Sequence, residues 1–165
     1  MTVTPALQRL YASAPDGAVI YETLELRHPR FTQAYYLTNA ALPFSAQLET
    51  GAQVDFMALP FTAQLPGANS GGTQDLTLVL DNVDRLIVDE LERAAGDPRT
   101  RIAVTYRAFA STDLSGPGAD PIALSLSDVT ATDTQVQGTA SRTDVLNRRY
   151  PSVLYEIGMY PGLDR

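Results

Sequence analysis

The sequence predicts a mainly β fold: two packed antiparallel sheets, arranged as a sandwich or barrel, with one flanking α-helix and a short N-terminal helix. Three observations carry this expectation. Short apolar/polar alternations recur along the chain, each bounded by Gly, Pro, Asn or Asp. One longer segment, Val83 to Ala95, instead repeats its apolar residues at three- and four-residue steps. The chain has 165 residues, 44% apolar and 19% charged, which is enough for one core and too little for two domains.

The elements follow in order. Thr4 is a suitable helix N-cap and Pro5 a suitable first helical residue, and Ala6, Leu7, Leu10 and Tyr11 form an apolar stripe as far as Ser13. Ala14-Pro-Asp-Gly17 is a turn. Ala18 to His28 reads as a strand, with Ile20, Glu22, Leu24 and Leu26 on one face and Val19, Tyr21, Thr23 and Glu25 on the other. Further strands are expected over Phe31 to Leu37 and Phe44 to Thr50. Another is expected over Gln53 to Leu65, where Pro60 implies an edge or a bulge. Pro66 to Gly72 is an exposed loop. In Asp75 to Leu80, Leu76, Leu78 and Leu80 share a face, and Asp81-Asn82 caps the helix that follows. That helix carries Val83, Leu86, Ile87, Leu91 and Ala94 toward a sheet, turns Glu92 and Arg93 to solvent, and stops at Gly96-Asp-Pro98. Arg101 to Phe109 alternates again. Ser111 to Asp120 is a loop, Ile122 to Leu126 a return strand, and Asp128 to about Ala140 a further strand, for about eight strands in all. The whole, 1–165, reads as one domain, with 1–16 as a helical arm and 150–165 as a tail rich in aromatics and Pro.

Composition excludes much chemistry. There is no Cys, so disulfides, thiolate metal sites and cysteine nucleophiles are absent. All 12 basic residues are Arg, so the Gly-rich run at 66–73 cannot be a Walker phosphate loop, which needs its Lys. His28 is the one His, which removes two-His metal sites, and no Gly-x-Ser-x-Gly elbow exists. A net charge of −7 disfavours nucleic-acid binding through a basic face. No run approaches a membrane span. Residues 1–5 lack a basic region followed by an apolar run, so no secretory leader is expected. No cofactor, metal or catalytic residue is assigned. His28, in Arg27-His-Pro-Arg30, reads as a surface or capping residue. The acid pairs Glu22/Glu25 and Asp89/Glu92 read as solvated faces rather than the convergent carboxylates of a glycosidase.

The residues that stand out suit contact with protein. Arg148-Arg149-Tyr150-Pro151 sets Arg beside an aromatic, as interface anchors do. Tyr155, Met159 and Tyr160 continue the tail in the same vein. Gly67, Asn69 and Gly71 in one loop, and Gly116, Pro117 and Gly118 in the other, complete the candidate interface set, because exposed Gly-rich loops can order on contact.

Leu10-Tyr-Ala-Ser-Ala-Pro15 and Glu22-Thr-Leu-Glu-Leu-Arg-His-Pro29 resemble the opening of an uncharacterised family of tailed-phage proteins found in siphophage and prophage tail modules. Leu76-Thr-Leu-Val-Leu-Asp-Asn-Val83 with its helix, Val104-Thr-Tyr-Arg107 and the closing Tyr-Pro…Tyr-Pro-Gly-Leu163 extend the resemblance over essentially the whole chain. It is also distantly similar to the N-terminal part of the lambda-type minor tail protein L. The Cys-rich, cluster-binding part of that protein has no counterpart here. The resemblance implies a tail-tube-like fold and a non-enzymatic virion component of the tail tip or baseplate, made in the host cytoplasm. It would form a homo-oligomeric ring in contact with tail tube, distal tail, hub and tape-measure proteins, with no membrane partner and DNA at most passing through a lumen. A chain of this length folds to a sphere ~40 Å across; six touching spheres leave a lumen of ~40 Å and three leave ~6 Å, so a sixfold ring suits an open tube and a threefold ring a hub. The rival expectations are a tail assembly chaperone not retained in the virion, a small carboxylate-based cell-wall hydrolase, and a carbohydrate-binding module.

Overall fold

The computed structural model describes residues 3–13, 17–64, 75–81, 85–97, 100–132 and 135–141. Helix α1 (Pro5–Ser13) begins as its capping chemistry dictates, with Leu7 N–H donating to Thr4 Oγ1. It buries Leu7 and Leu10, while Tyr11 is exposed and not part of the buried stripe. Nine strands follow: β1 (Ile20–Arg27), β2 (Tyr35–Thr38), β3 (Phe44–Gln47), β4 (Gln53–Ala58), β5 (Phe61–Gln64), β6 (Asp75–Asp81), β7 (Ile102–Ala110), β8 (Ile122–Ala131) and β9 (Gln135–Ser141). Helix α2 (Arg85–Ala95) lies between β6 and β7.

The fold is mainly β with two helices, as the alternation predicts, but the strands form one sheet rather than two. Its order is β3-β4-β2-β1-β7-β8-β9-β6-β5. All pairings are antiparallel except β2 with β4. Strands β4 and β5 stand near opposite ends of that order, yet only Leu59 and Pro60 separate them in the chain. Three peptide steps reach at most about 11 Å. The sheet must therefore roll until its two ends approach. No ladder closes the roll into a barrel among the described residues.

The roll explains the cores. One face gathers Leu24 and Leu26 of β1, Leu37 of β2, Phe61 of β5, Leu78 and Leu80 of β6, Val104 of β7 and Leu124 and Leu126 of β8 into a single cluster. Leu7 and Leu10 of α1 and Ile87, Leu91 and Ala94 of α2 complete it, so the predicted helix does cover an apolar sheet face. The other face carries a smaller core in which Ala46, Leu48 and Phe56 of the β3–β4 hairpin pack on Phe109 of β7. Its rings interlock: Phe44 stacks on Phe56 at 5.2 Å, and Phe109 meets Phe56 at 5.6 Å.

Several boundaries differ from the alternation. Pro60 is not a bulge in one long strand but the break between two strands at opposite ends of the sheet. Strand β2 starts at Tyr35, because residues 31–33 bend toward α2. Strand β8 does not end near Leu126. It continues to Ala131 through a bulge between Ser127 and Thr130, where Asp128 takes a left-handed φ of 53°. The turn comes later, where Thr132 and Gln135 exchange hydrogen bonds. Loop 66–72 and the predicted helix cap at Asn82 lie outside the described residues.

Candidate functional site

The densest polar chemistry lies on the hairpin-covered face. Register pairs Thr23 of β1 with Arg107 of β7, and alternation sends Thr23, Glu25 and Arg107 to that face. Arg107 is only 4% exposed and Glu25 only 3%. Arg107 Nε and Nη2 each donate to Glu49 at 2.8 Å, a bidentate grip on the turn that joins β3 to β4. Arg107 Nη1 lies 2.7 Å from Glu25 Oε2, an ion pair not aligned as a hydrogen bond. Arg27 pairs with the other oxygen of Glu25 and donates to the Tyr36 hydroxyl at 3.1 Å. Two cations thus face two carboxylates. Burial works against the Arg107 charge, but the hydrogen bonds from Arg107 to Glu49 and the charges of Glu25 and Glu49 outweigh it and hold its pKa above the ordinary value. The Arg107 hydrogen bonds hold Glu49 below the ordinary carboxylate range.

A second cluster ties α2 to the segment after β1. Glu90 is buried, and Thr32 donates to it through both its backbone N–H (3.1 Å) and its hydroxyl (2.6 Å). Tyr35 donates to Glu90 at 3.2 Å and Arg93 at 2.6 Å. The Thr32 bonds lower the Glu90 pKa. His28 works beside it. Its Nδ1 accepts the Arg30 N–H at 3.1 Å and its Nε2 stands 3.2 Å from the Thr100 carbonyl oxygen, a pairing that assigns the proton to Nε2. His28 is therefore buried and structural, closer to the capping role than to a surface one. A third group centres on Glu22, which accepts from Tyr106 at 2.9 Å and Asn39 at 2.8 Å. Burial, then the Glu22 charge, raises the Tyr106 hydroxyl pKa.

The acid pairs read differently in three dimensions. Glu22 and Glu25 project to opposite faces of β1 and do not converge, and Glu25 is a buried ion-pair partner rather than a solvated side chain. Asp89 and Glu92 are exposed on α2. No group of three or more His, Asp or Glu among the described residues is placed to hold a metal. No helix among them is long and apolar enough to cross a membrane.

Of the predicted interface residues, Gly67, Asn69, Gly71, Arg148, Arg149, Tyr150, Tyr155, Met159 and Tyr160 lie outside the described residues. The loop holding Gly116, Pro117 and Gly118 braces its own chain. Gly118 is buried, donates to Ala108 O at 2.8 Å and accepts from Thr4 N at 2.7 Å. A Cβ there would meet Leu7 at 3.0 Å, so its smallness admits α1 rather than a partner. Gly116 and Pro117 are half-buried. Leu114 O accepts from Gln47 N at 2.9 Å and so covers part of the β3 edge.

What the described fold offers a partner is a sheet edge. Among the described residues strand β5 pairs with β6 on one side only, and Phe61-Thr-Ala-Gln64 carries no charge, Pro or bulge to blunt the other. A mainly β protein braced by a buried ion pair, with β5 at one end of its sheet, is the class the geometry defines. A family model described as a domain of unknown function, DUF1833, matches residues 6–155, and the chain belongs to that family. No curated protein matches it.

Proposed function

We propose that this chain is a structural component of a tailed-phage tail tip or baseplate: a ring-forming, non-enzymatic adaptor that joins the tail tube to the distal hub. The tail-module resemblance of the sequence supports the setting. The observation that carries the assembly reading is the β5 edge, which among the described residues pairs with β6 alone and so suits pairing with another strand. In this reading β5 extends the sheet into a neighbouring copy, while the hairpin and its Arg107 cluster keep each subunit rigid. Tail tube, distal tail, hub and tape-measure proteins are its proposed neighbours, and the virion is its proposed location. Mass spectrometry of purified particles tests this reading: the polypeptide is expected in several copies per particle, and its absence from intact virions overturns the proposal.

A further inference from the structure

The C-terminal half of α2 and the β7–β8 hairpin enclose a cleft of about 440 Å³. Leu91, Ala94, Ile102 and Leu126 form its apolar walls, with the part-exposed Val129 at its mouth. Its charged groups are Glu92, Asp97 and Asp128 against Arg101 alone, a local excess of two negative charges. The carbonyl end of α2 at Ala95 adds negative potential. Asp128 reaches this rim because the bulge holds it at φ 53°, a conformation that Asp tolerates better than most residues. Such a site suits an aromatic or aliphatic side chain flanked by arginine.

The chain supplies that combination in Arg148-Arg149-Tyr150. Strand β9 ends at Ser141, which pairs with Ser125, the neighbour of cleft residue Leu126. Seven residues from Ser141 to Arg148 reach up to about 24 Å, more than the cleft requires. We propose that this cleft is the docking site of the chain's own C-terminal segment, with Tyr150 entering between Leu91 and Val129 and the two arginines pairing with Glu92 and Asp128. Residues 142–165 lie outside the described residues, so the inference rests on their sequence, on where β9 ends and on the charge of the cleft. It does not depend on the tail-tip reading.

The absence of Cys makes the test clean. In the full chain, Val129→Cys with Ser152→Cys is oxidised mildly and followed by non-reducing electrophoresis and intact mass. The expected result is an intrachain disulfide forming at least about tenfold faster than in a Leu42→Cys/Ser152→Cys control, since docking raises the effective concentration at the cleft alone. Asp128→Arg or Glu92→Arg, both exposed positions, should slow it about threefold, as expected for one lost surface ion pair. Arg149→Glu should restore the rate in the Asp128→Arg background. A rate equal to the Leu42 control overturns the proposal. So does a disulfide found only between chains, which would give the cleft to a second copy.

Discussion

Among the described residues Arg107 is the buried arginine, 4% exposed. It joins a central strand to the hairpin turn and sits almost fully inside. Glu25→Gln takes one of two carboxylates from a buried guanidinium that keeps its Glu49 bonds, so it is expected to lower stability by about 1–3 kcal/mol in urea unfolding. Glu49 is 40% exposed and should matter less at neutral pH. Its signature is in the acid. A carboxylate held below its ordinary value of 4.5 contributes stability that is fully present above that value and lost as the pH falls through the lowered one. Glu90 acts with the same sign. The protein should therefore lose stability on acidification below about 4.5. Glu49→Gln should flatten that loss in a series of melts against pH. Gly118→Ala tests the packing under α1: a Cβ 3.0 Å from Leu7 should cost about 1–3 kcal/mol, read as a lower melting temperature.

At the scale of elements, the β3–β4 hairpin is held by aromatic contacts, by Glu49 and by a short parallel pairing with β2. Phe56→Ala removes the ring that touches Tyr36, Phe44 and Phe109. It should cost about 3–5 kcal/mol and speed amide exchange across 44–58 before the rest of the sheet. Strand β5 is the opposite case. Thr62 is exposed on an unblunted edge, and Thr62→Lys should leave the circular dichroism of the subunit unchanged while abolishing self-association in sedimentation.

Much at this level was legible in the sequence. The two faces of β1 and β7 follow from period-two alternation, and α2 from its three- and four-residue spacing. What escaped has a shared cause. Glu25, paired with Glu22, read as solvated; only the folding of a distant hairpin over its face makes it part of a core. Pro60 marks an irregularity in the sequence, but a local signal cannot say whether the chain breaks there or bulges and continues, and Asp128, read as a strand start, lies in a bulge within β8. Glu90 gave no signal, because Thr32 and Tyr35, two of the groups that hold it, lie 58 and 55 residues away.

For the molecule as a whole, the rolled sheet carries two helices over one face, a hairpin over the other and, among the described residues, a β5 edge paired on one side. In the proposed ring, a net charge of −7 would repel passing DNA rather than hold it. The account rests on this chain being a building piece of the tail end. A cryo-EM reconstruction of that end from purified virions tests it most directly: the account predicts a ring of this chain with each β5 edge against the next copy, and a complete tail-tip map with no density for it would contradict the account.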